Sequence, residues 1–261
     1  MHENSTSDIT GISSPFRGLG GVGAMILAAG LGSRLKPWTD THPKALAMVN
    51  GKSLLQRNIE YLQKFQIKEV VVNVHHFADQ IIDAIKKTNG WGSKILISDE
   101  THEVLETGGG FLKAASFLQE TNPIVLMNVD ILTDLNLEAM ICYHQEKKPL
   151  VTLATSDRKT SRYFLFDEAN KLCGWRNVQT GEERIAAPLS GSETQKAFSG
   201  IHVVESKIFS LIRQKGKFSM VDVYLDLMSQ HSINSFDHTG NLFVDVGKPE
   251  SLATAEAMFS V

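Results

Sequence analysis

At 261 residues the chain can bury one sizeable core or two small ones, and its 42% hydrophobic and 21% charged content is that of an ordinary soluble globular protein. A formal net charge of −3 argues against a general nucleic-acid binder, which needs a strong positive excess. Any anion site must therefore be built from local cations.

The first 23 residues are polar and glycine-rich, with acids and no long apolar run. They read as a flexible tail, neither a signal peptide nor a membrane span, which leaves a cytoplasmic location and no membrane partner as the expectation. From Ala24 onward apolar runs alternate with helical spacing. Strands are predicted at Ala24–Ala29, Glu69–Val74, Lys94–Ile97, Ile124–Val129 and Leu150–Ala154. Between them Leu54, Leu55, Ile59 and Leu62 fit one helical face, as do Ile81, Ile82 and Ile85, then Phe111, Leu112, Ala115 and Leu118. Strand–helix alternation with nearly all-apolar strands predicts an α/β fold, a mostly parallel sheet covered on both faces.

The rhythm weakens after Ser156. Arg162–Phe166, Lys171–Trp175 and Ala197–Val204 read as shorter strands around the polar stretch Gln179–Gln195. Helices are predicted over Lys207–Gln214 and Met220–Ser229, a strand over Leu242–Val246 and a closing helix over Pro249–Phe259. No linker or repeat divides the chain, so a single domain with an antiparallel elaboration is expected. Cys142 and Cys173 have no metal-ligand or disulfide spacing and read as buried thiols in a reducing compartment.

The chemistry concentrates in "MILAAGLGSRLKPWTDTHPKAL". A buried strand ends in a glycine turn, and Arg34, Lys36, Lys44 and Lys52 follow against the single acid Asp40. In open α/β sheets, ligands bind beyond the carboxyl ends of strands. Glycines at 30 and 32 let main-chain amides approach a ligand, and amides converging with a guanidinium and an ammonium make a phosphate cradle. Alone, the glycine pair also fits an ordinary turn beside surface lysines. It lacks the third glycine of G-x-G-x-x-G, which disfavours a dinucleotide-dependent oxidoreductase, and no G-x-x-x-x-G-K-[ST] loop is present.

The whole string Gly30-x-Gly32-x-Arg34-x-x-Pro37-x-Thr39-x-x-x-Pro43-Lys44 resembles the signature of the sugar-phosphate nucleotidyltransferase family. "LETGGGFLKAA", "VLMNVDIL", "FSGIHVV" and "FVDVGKPESLATAE" follow in that family's order. The resemblance implies a Rossmann-like three-layer α/β/α sandwich with a mixed, mostly parallel central sheet. Residues 24–155 would then mainly bind nucleotide, and 156–261 mainly bind sugar and supply a second metal ligand. It also implies a reaction that joins a nucleoside triphosphate to a sugar 1-phosphate and releases pyrophosphate. Leu27, Ala28, Ala29, Gly30, Gly32 and Ser33 would hold base, ribose and phosphates. Arg34 and Lys44 would grip the triphosphate, and Asp130 and Asp245 would hold Mg2+, with Arg34, Lys44 and Asp130 catalytic. Glu106, Thr107, Gly108 and Gly109, ahead of the helix expected at Phe111, would read base and ribose. Gly200 and Asn128 would meet the sugar. Many members carry a Glu-Lys-Pro lysine for the sugar phosphate; "CGWRNVQ" stands there instead, making Arg176 the candidate substitute.

Spacing alone leaves the aspartates open between metal ligands and a strand-end turn with an ion pair, since a charge beside a buried strand needs some partner; the resemblance selects metal. His75 and His76, without a third ligand, read as loop or helix-start residues. Trp38, Trp91 and Trp175 are too scattered for a cofactor box. "LETGGG" with "NVD" looks more like the N-acetylmuramate-1-phosphate uridylyltransferases (UTP) of cell-wall recycling than the guanylyltransferases (GTP) for mannose or heptose 1-phosphate. A non-catalytic nucleotide-sugar sensor on the same fold is the rival class, and the presence of Arg34, Lys44, Asp130 and Asp245 favours the enzyme. Neither a monomer nor a homo-oligomer is selected.

Overall fold

A computed structural model describes residues 21–186 and 191–259. The tail expected over residues 1–23 thus lies mostly outside the described residues, and its last member, Gly23, already opens the first strand. β1 (Gly23–Leu27) leads through the glycine turn to a small hairpin, β2 (Met48–Val49) with β3 (Lys52–Ser53). α1 (Leu54–Lys64) starts there because the Ser53 hydroxyl accepts from the Gln56 amide at 3.1 Å. Then come β4 (Glu69–Val74), α2 (Ala78–Lys87), β5 (Lys94–Asp99), α3 (Glu106–Lys113), the one-turn α4 (Ala115–Leu118) and β6 (Ile124–Asn128).

β7 (Ile131–Thr133), α5 (Leu137–Lys147) and β8 (Val151–Ser156) pass into the second half. Its strands are β9 (Arg162–Phe166), β10 (Leu172–Asn177), β11 (Glu183–Ile185) and the long β12 (Thr194–Val204). α6 (Met220–Leu227), β13 (Ile233–Asp237), β14 (Phe243–Asp245) and α7 (Pro249–Met258) complete the order.

Ten strands form one mixed sheet. β6, β1, β4 and β5 run parallel; β12 joins β6 antiparallel and carries β8 and β9, and β13 adds parallel to β8. Alternation along β1 divides the core in two. Ala24 and Ile26 pack with α1, α2, α5 and α7, whereas Met25 and Leu27 pack with α3 and α6 on the other face. This is the expected three-layer arrangement, and it delivers the carboxyl ends of β1, β4 and β6 to one rim. No helix among the described residues is long and apolar enough to cross a membrane.

Three expectations need correction. Lys207–Gln214 forms only a short 3-10 turn over Ser206–Ser210, and α5, β7, β11 and β13 arise where no element was expected. The Gly108–Gly110 run is not a loop before a helix at Phe111; α3 begins at Glu106 and contains all three glycines.

Candidate active site

The rim encloses a cleft of about 490 Å³. Its first wall is the turn after β1, where Gly32 adopts φ +62°, a left-handed conformation that L side chains rarely take. A Cβ there would also come within 2.9 Å of Lys44 Cβ and Thr39 Cγ2. The Gly32 carbonyl accepts from the Leu35 amide at 2.8 Å and the Thr39 hydroxyl at 3.0 Å, folding the basic loop back on itself. This brings Arg34 and the largely buried Lys44 to the cleft.

Asn73, at the end of β4, fixes the base of that turn. Its Oδ1 accepts from the Ala28 and Ala29 amides at 2.6 and 3.3 Å, and its Nδ2 donates to Glu100 Oε1 at 2.7 Å. Glu100 is buried, and burial raises its carboxyl pKa while the Asn73 bond opposes the rise. His75 joins the same frame through a 2.6 Å contact of its ring with the Glu100 carbonyl oxygen, in keeping with its reading as a loop residue. Two amides expected to face a ligand are therefore turned to a side chain, and Ala28 belongs to the frame rather than to the cleft lining.

The cleft floor carries the acids. Asp130 follows β6 and is held from both sides. Asn58 donates to the Val129 carbonyl at 2.7 Å, and the Val246 amide donates to the Asp130 carbonyl at 2.8 Å. Lys44 and Asp130 form a close ion pair. β14 pairs with β7 so that Asp245 stands opposite Ile131, next to Asp130, although the two are more than a hundred positions apart. Asp245 is exposed beside the cleft, outside its lining, yet the protein around it raises its pKa, and the neighbouring Asp130 carboxylate raises it further; Lys44, Arg34 and Arg158 pull it back. A Cβ on Gly247 would meet Asp245 Oδ1 at 2.8 Å and Arg34 Nη2 at 2.9 Å, so the two ends of the chain close around this glycine. Of the four residues expected to act together, Arg34, Lys44 and Asp130 line the cleft, and Asp245 stands beside them at its edge.

These donors suit Mg2+, which typically takes one or two protein carboxylates and completes its shell with phosphate and water. The mutual repulsion read in Asp245 is relieved by a cation between the pair. Among the described residues no group of three or more His, Cys, Asp or Glu converges as a fuller metal cage.

Glu106 and Thr107 line the opposite wall, where Glu106 pairs with Lys217 at 3.4 Å and the Thr107 hydroxyl accepts from the Met220 amide at 2.9 Å. Gly108 and Gly109 do not line the cleft. A Cβ on Gly108 would lie 2.4 Å from the Phe218 ring, and one on Gly109 2.3 Å from the Gly216 carbonyl oxygen. Their amides donate to the Phe218 carbonyl at 2.9 and 3.2 Å. They let α3 dock on the 216–219 loop, a structural need rather than a base contact. Asn73, Val104, Lys217, Ser219 and Gly247 line the cleft without having been foreseen. Of these, only the "GKFS" loop, a lysine beside a glycine ahead of α6, carried a visible signal.

On the sugar side Asn128 lines the cleft, and Gly200 sits against it: at φ +73°, a Cβ on Gly200 would reach Asn128 Nδ2 at 3.0 Å. Gly200 lies in the irregularity of β12 between Phe198 and His202. Arg176 is elsewhere. It lies on β10, in the β9–β10–β11 end of the sheet, is ion-paired with Glu183 and does not line the cleft.

Comparison with known proteins agrees with this geometry. Residues 23–260 match the family model described as Nucleotidyl transferase. The chain is 30% identical over 246 residues to an N-acetylmuramate alpha-1-phosphate uridylyltransferase of Caulobacter vibrioides, covering 90% of this chain and 95% of that one. It is 25% identical to a mannose-1-phosphate guanylyltransferase catalytic subunit beta of Drosophila pseudoobscura pseudoobscura, covering 92% of this chain but 62% of that one. Among solved structures, HddC from Yersinia pseudotuberculosis complexed with GMP-PN aligns with a TM-score of 0.72 at 25% identity, covering 90% of this chain and 97% of that one.

Proposed function

The chain belongs to the nucleotidyl transferase family and is a nucleotidyltransferase, and from that premise we propose that it transfers the uridylyl group of UTP to N-acetylmuramate 1-phosphate. The convergence of Arg34, Lys44 and Asp130 on one cleft, with Asp245 beside them, supports a reaction between two phosphates. The choice of substrates is supported by relatives matched over nearly their whole length, in Caulobacter vibrioides and, at 29% identity, in Neisseria meningitidis. That choice would set the chain in cytoplasmic recycling of cell-wall sugar.

The acceptor phosphate is already an anionic nucleophile, so no Ser, Cys or His needs activation. One of its oxygens attacks the α-phosphorus in line, the bond to the β-phosphate oxygen breaks, and pyrophosphate leaves. Catalysis reduces to positioning and charge neutralisation. Arg34 reaches the open side of the cleft and offsets charge on the transferring and leaving phosphates. Lys44, held over Asp130, supports it from the floor. Asp130 and Asp245 would hold Mg2+, whose charge would be added to that of the two side chains when bound. The Gly30–Gly32 turn, fixed from below by Asn73, shapes the wall for the nucleotide.

Guanylyl transfer is the second reading, favoured by the similarity to HddC, whose structure was solved with GMP-PN. Pyrophosphate release measured over four nucleoside triphosphates and several sugar 1-phosphates tests both. UTP with N-acetylmuramate 1-phosphate is expected to give the highest kcat/KM. Turnover with GTP and mannose 1-phosphate, and none with UTP, would replace the first reading by the second.

A further inference from the structure

Among the described residues four buried side-chain polar atoms lack a hydrogen-bond partner: Trp38 Nε1, Ser156 Oγ, Arg158 Nε and His238 Nδ1. Such atoms are uncommon in folded proteins and often mark an unfilled ligand or water position. Three of the four come from one place. Ser156 ends β8, Arg158 lies two residues on, and His238 follows β13, the parallel neighbour of β8; the His238 amide donates to the Thr155 carbonyl at 2.9 Å.

Arg158 is the charged member. Its guanidinium lies 5.0 Å from the Phe243 ring centre, and Nη2 donates at 2.6 Å to the Phe198 carbonyl, two residues before Gly200. It is therefore tied to the irregular segment of β12 against which Asn128 packs. His238 is fastened to the same segment through Ser199 Oγ at 2.7 Å. Among the described residues no carboxylate lies within ion-pair distance of Arg158, although it is close enough to Asp245 to influence it. A half-buried guanidinium without a counter-ion is costly, and the family activity brings an anion to this side of the cleft.

The cations are also divided by position. Arg34 and Lys44 line the nucleotide cleft; Arg158 stands outside that lining, against Phe243 and the β12 segment that leads to Gly200 and Asn128. A reaction that joins two phosphates needs positive charge on both, because each repels the other. We propose that Arg158 binds the phosphate of the acceptor sugar 1-phosphate, with the buried Ser156 and His238 packed beneath it in the frame that holds the β12 segment. The proposal rests on the sugar-phosphate reading of the site. It gives the role expected of Arg176, on β10, to a residue from the loop after β8, which the fold brings against Phe243 of β14.

The test compares Arg158→Met and Arg158→Lys with wild type and with Arg176→Ala, after thermal melts show that each folds. Arg158→Met is expected to raise KM for sugar 1-phosphate about tenfold to a hundredfold, the range for a lost charge-assisted contact. KM for the nucleoside triphosphate should stay within about twofold, Arg158→Lys should recover part of the loss, and Arg176→Ala should behave as wild type. Loss confined to a carboxylate-bearing sugar such as N-acetylmuramate 1-phosphate, with N-acetylglucosamine 1-phosphate unaffected, would overturn the phosphate assignment. Equal KM values in wild type and Arg158→Met would also overturn it. Calorimetric titration of the nucleotide-free protein with inorganic phosphate gives a readout independent of turnover. Binding weakened by Arg158→Met but not by Arg176→Ala supports the subsite even if no nucleotide pairing is turned over. No binding to wild type, or equal binding to the variant, refutes it.

Discussion

Asn73→Ala removes the side chain that joins the nucleotide turn to the sheet, and its cost can be worked from the bonds it makes. The buried Asn73 accepts a short bond from the Ala28 amide and a longer one from the Ala29 amide, and donates to a buried carboxylate, Glu100. Stranding a buried amide costs about 1–3 kcal/mol, and losing a bond to a charged group about 1.5–3 kcal/mol. The Ala29 bond, at 3.3 Å, adds little. The expected destabilisation is about 3–5 kcal/mol, a fall in Tm of roughly 10 °C for a chain of this size. The sign of its pH dependence follows from Glu100, whose folded-state pKa is already raised by burial. Without Asn73 the carboxyl is raised further, so the folded variant holds its proton to higher pH than the unfolded chain does. Stability of the variant relative to wild type should therefore worsen as pH rises from about 5 to about 8. Urea titrations at both pH values measure this, and a Glu100→Gln background should shrink the loss by about 1 kcal/mol or more. A destabilisation below about 1 kcal/mol, or one independent of pH, would show that Asn73 is not the anchor of the turn.

Gly32→Ala forces an alanine into φ +62° and sets its methyl against Lys44 and Thr39, so turnover should fall at least about tenfold through displaced Lys44, measured by pyrophosphate release. Asp130→Asn and Asp245→Asn are each expected to lower turnover by about a hundredfold or more, in line with loss of a preorganised charge stabiliser, and chelation should abolish wild-type activity until Mg2+ is restored. Near-normal turnover in either variant would remove the metal assignment. Burial lowers the pKa of His144, His202 and His238, that of His202 to about 3. The unfolded chain protonates these rings near pH 6.5 and the folded one does not, so stability is intact above about 6.5 and should fall as pH drops toward 3. Denaturant midpoints at pH 7.5, 6 and 5 check the decline, and His202→Gln should flatten it.

The first half of the fold was legible because its strands are buried on both faces and its helices bury one stripe each. Glu69–Val74 was read to the residue, and β1, β5 and β6 to within two. The missed elements share a cause. In α5 the spacing Leu137, Met140, Ile141 continues to His144, a fully buried ring bonded to Thr152 at 2.8 Å and Glu205 at 3.1 Å, so the apolar stripe ends early. In β13 the buried positions include Asn234 and Ser235, the latter bonded to Thr155 at 2.6 Å. Hydrogen bonding inside the protein lets polar residues occupy core positions, and a pattern read on hydrophobicity alone skips them.

For the site, the same physics separates what was read from what was not. Arg34 and Lys44 were legible through a long signature string, and Asp130 and Asp245 because a charge beside an apolar strand stands out and falls in the motifs "VLMNVDIL" and "FVDVGKPESLATAE" of the same resemblance. Gly108 and Gly109 were misassigned because a glycine needed for close packing and one needed for ligand approach look alike in a sequence; only the Phe218 ring and the Gly216 carbonyl distinguish them. Arg176 was put forward because "CGWRNVQ" stands where the family's Glu-Lys-Pro lysine falls, yet it does not line the cleft and is paired with Glu183. Arg158 is one cation of the polar stretch "SDRKTSR", to which the sequence alone assigns no role. Its difference from Lys159 next to it is tertiary: β13 and β14 arrive from far downstream in the chain, covering the guanidinium with Phe243 and setting Asp245 near it. The surroundings of the cation proposed for the acceptor phosphate are therefore specified by strand pairing, a level of organisation that the local sequence does not carry.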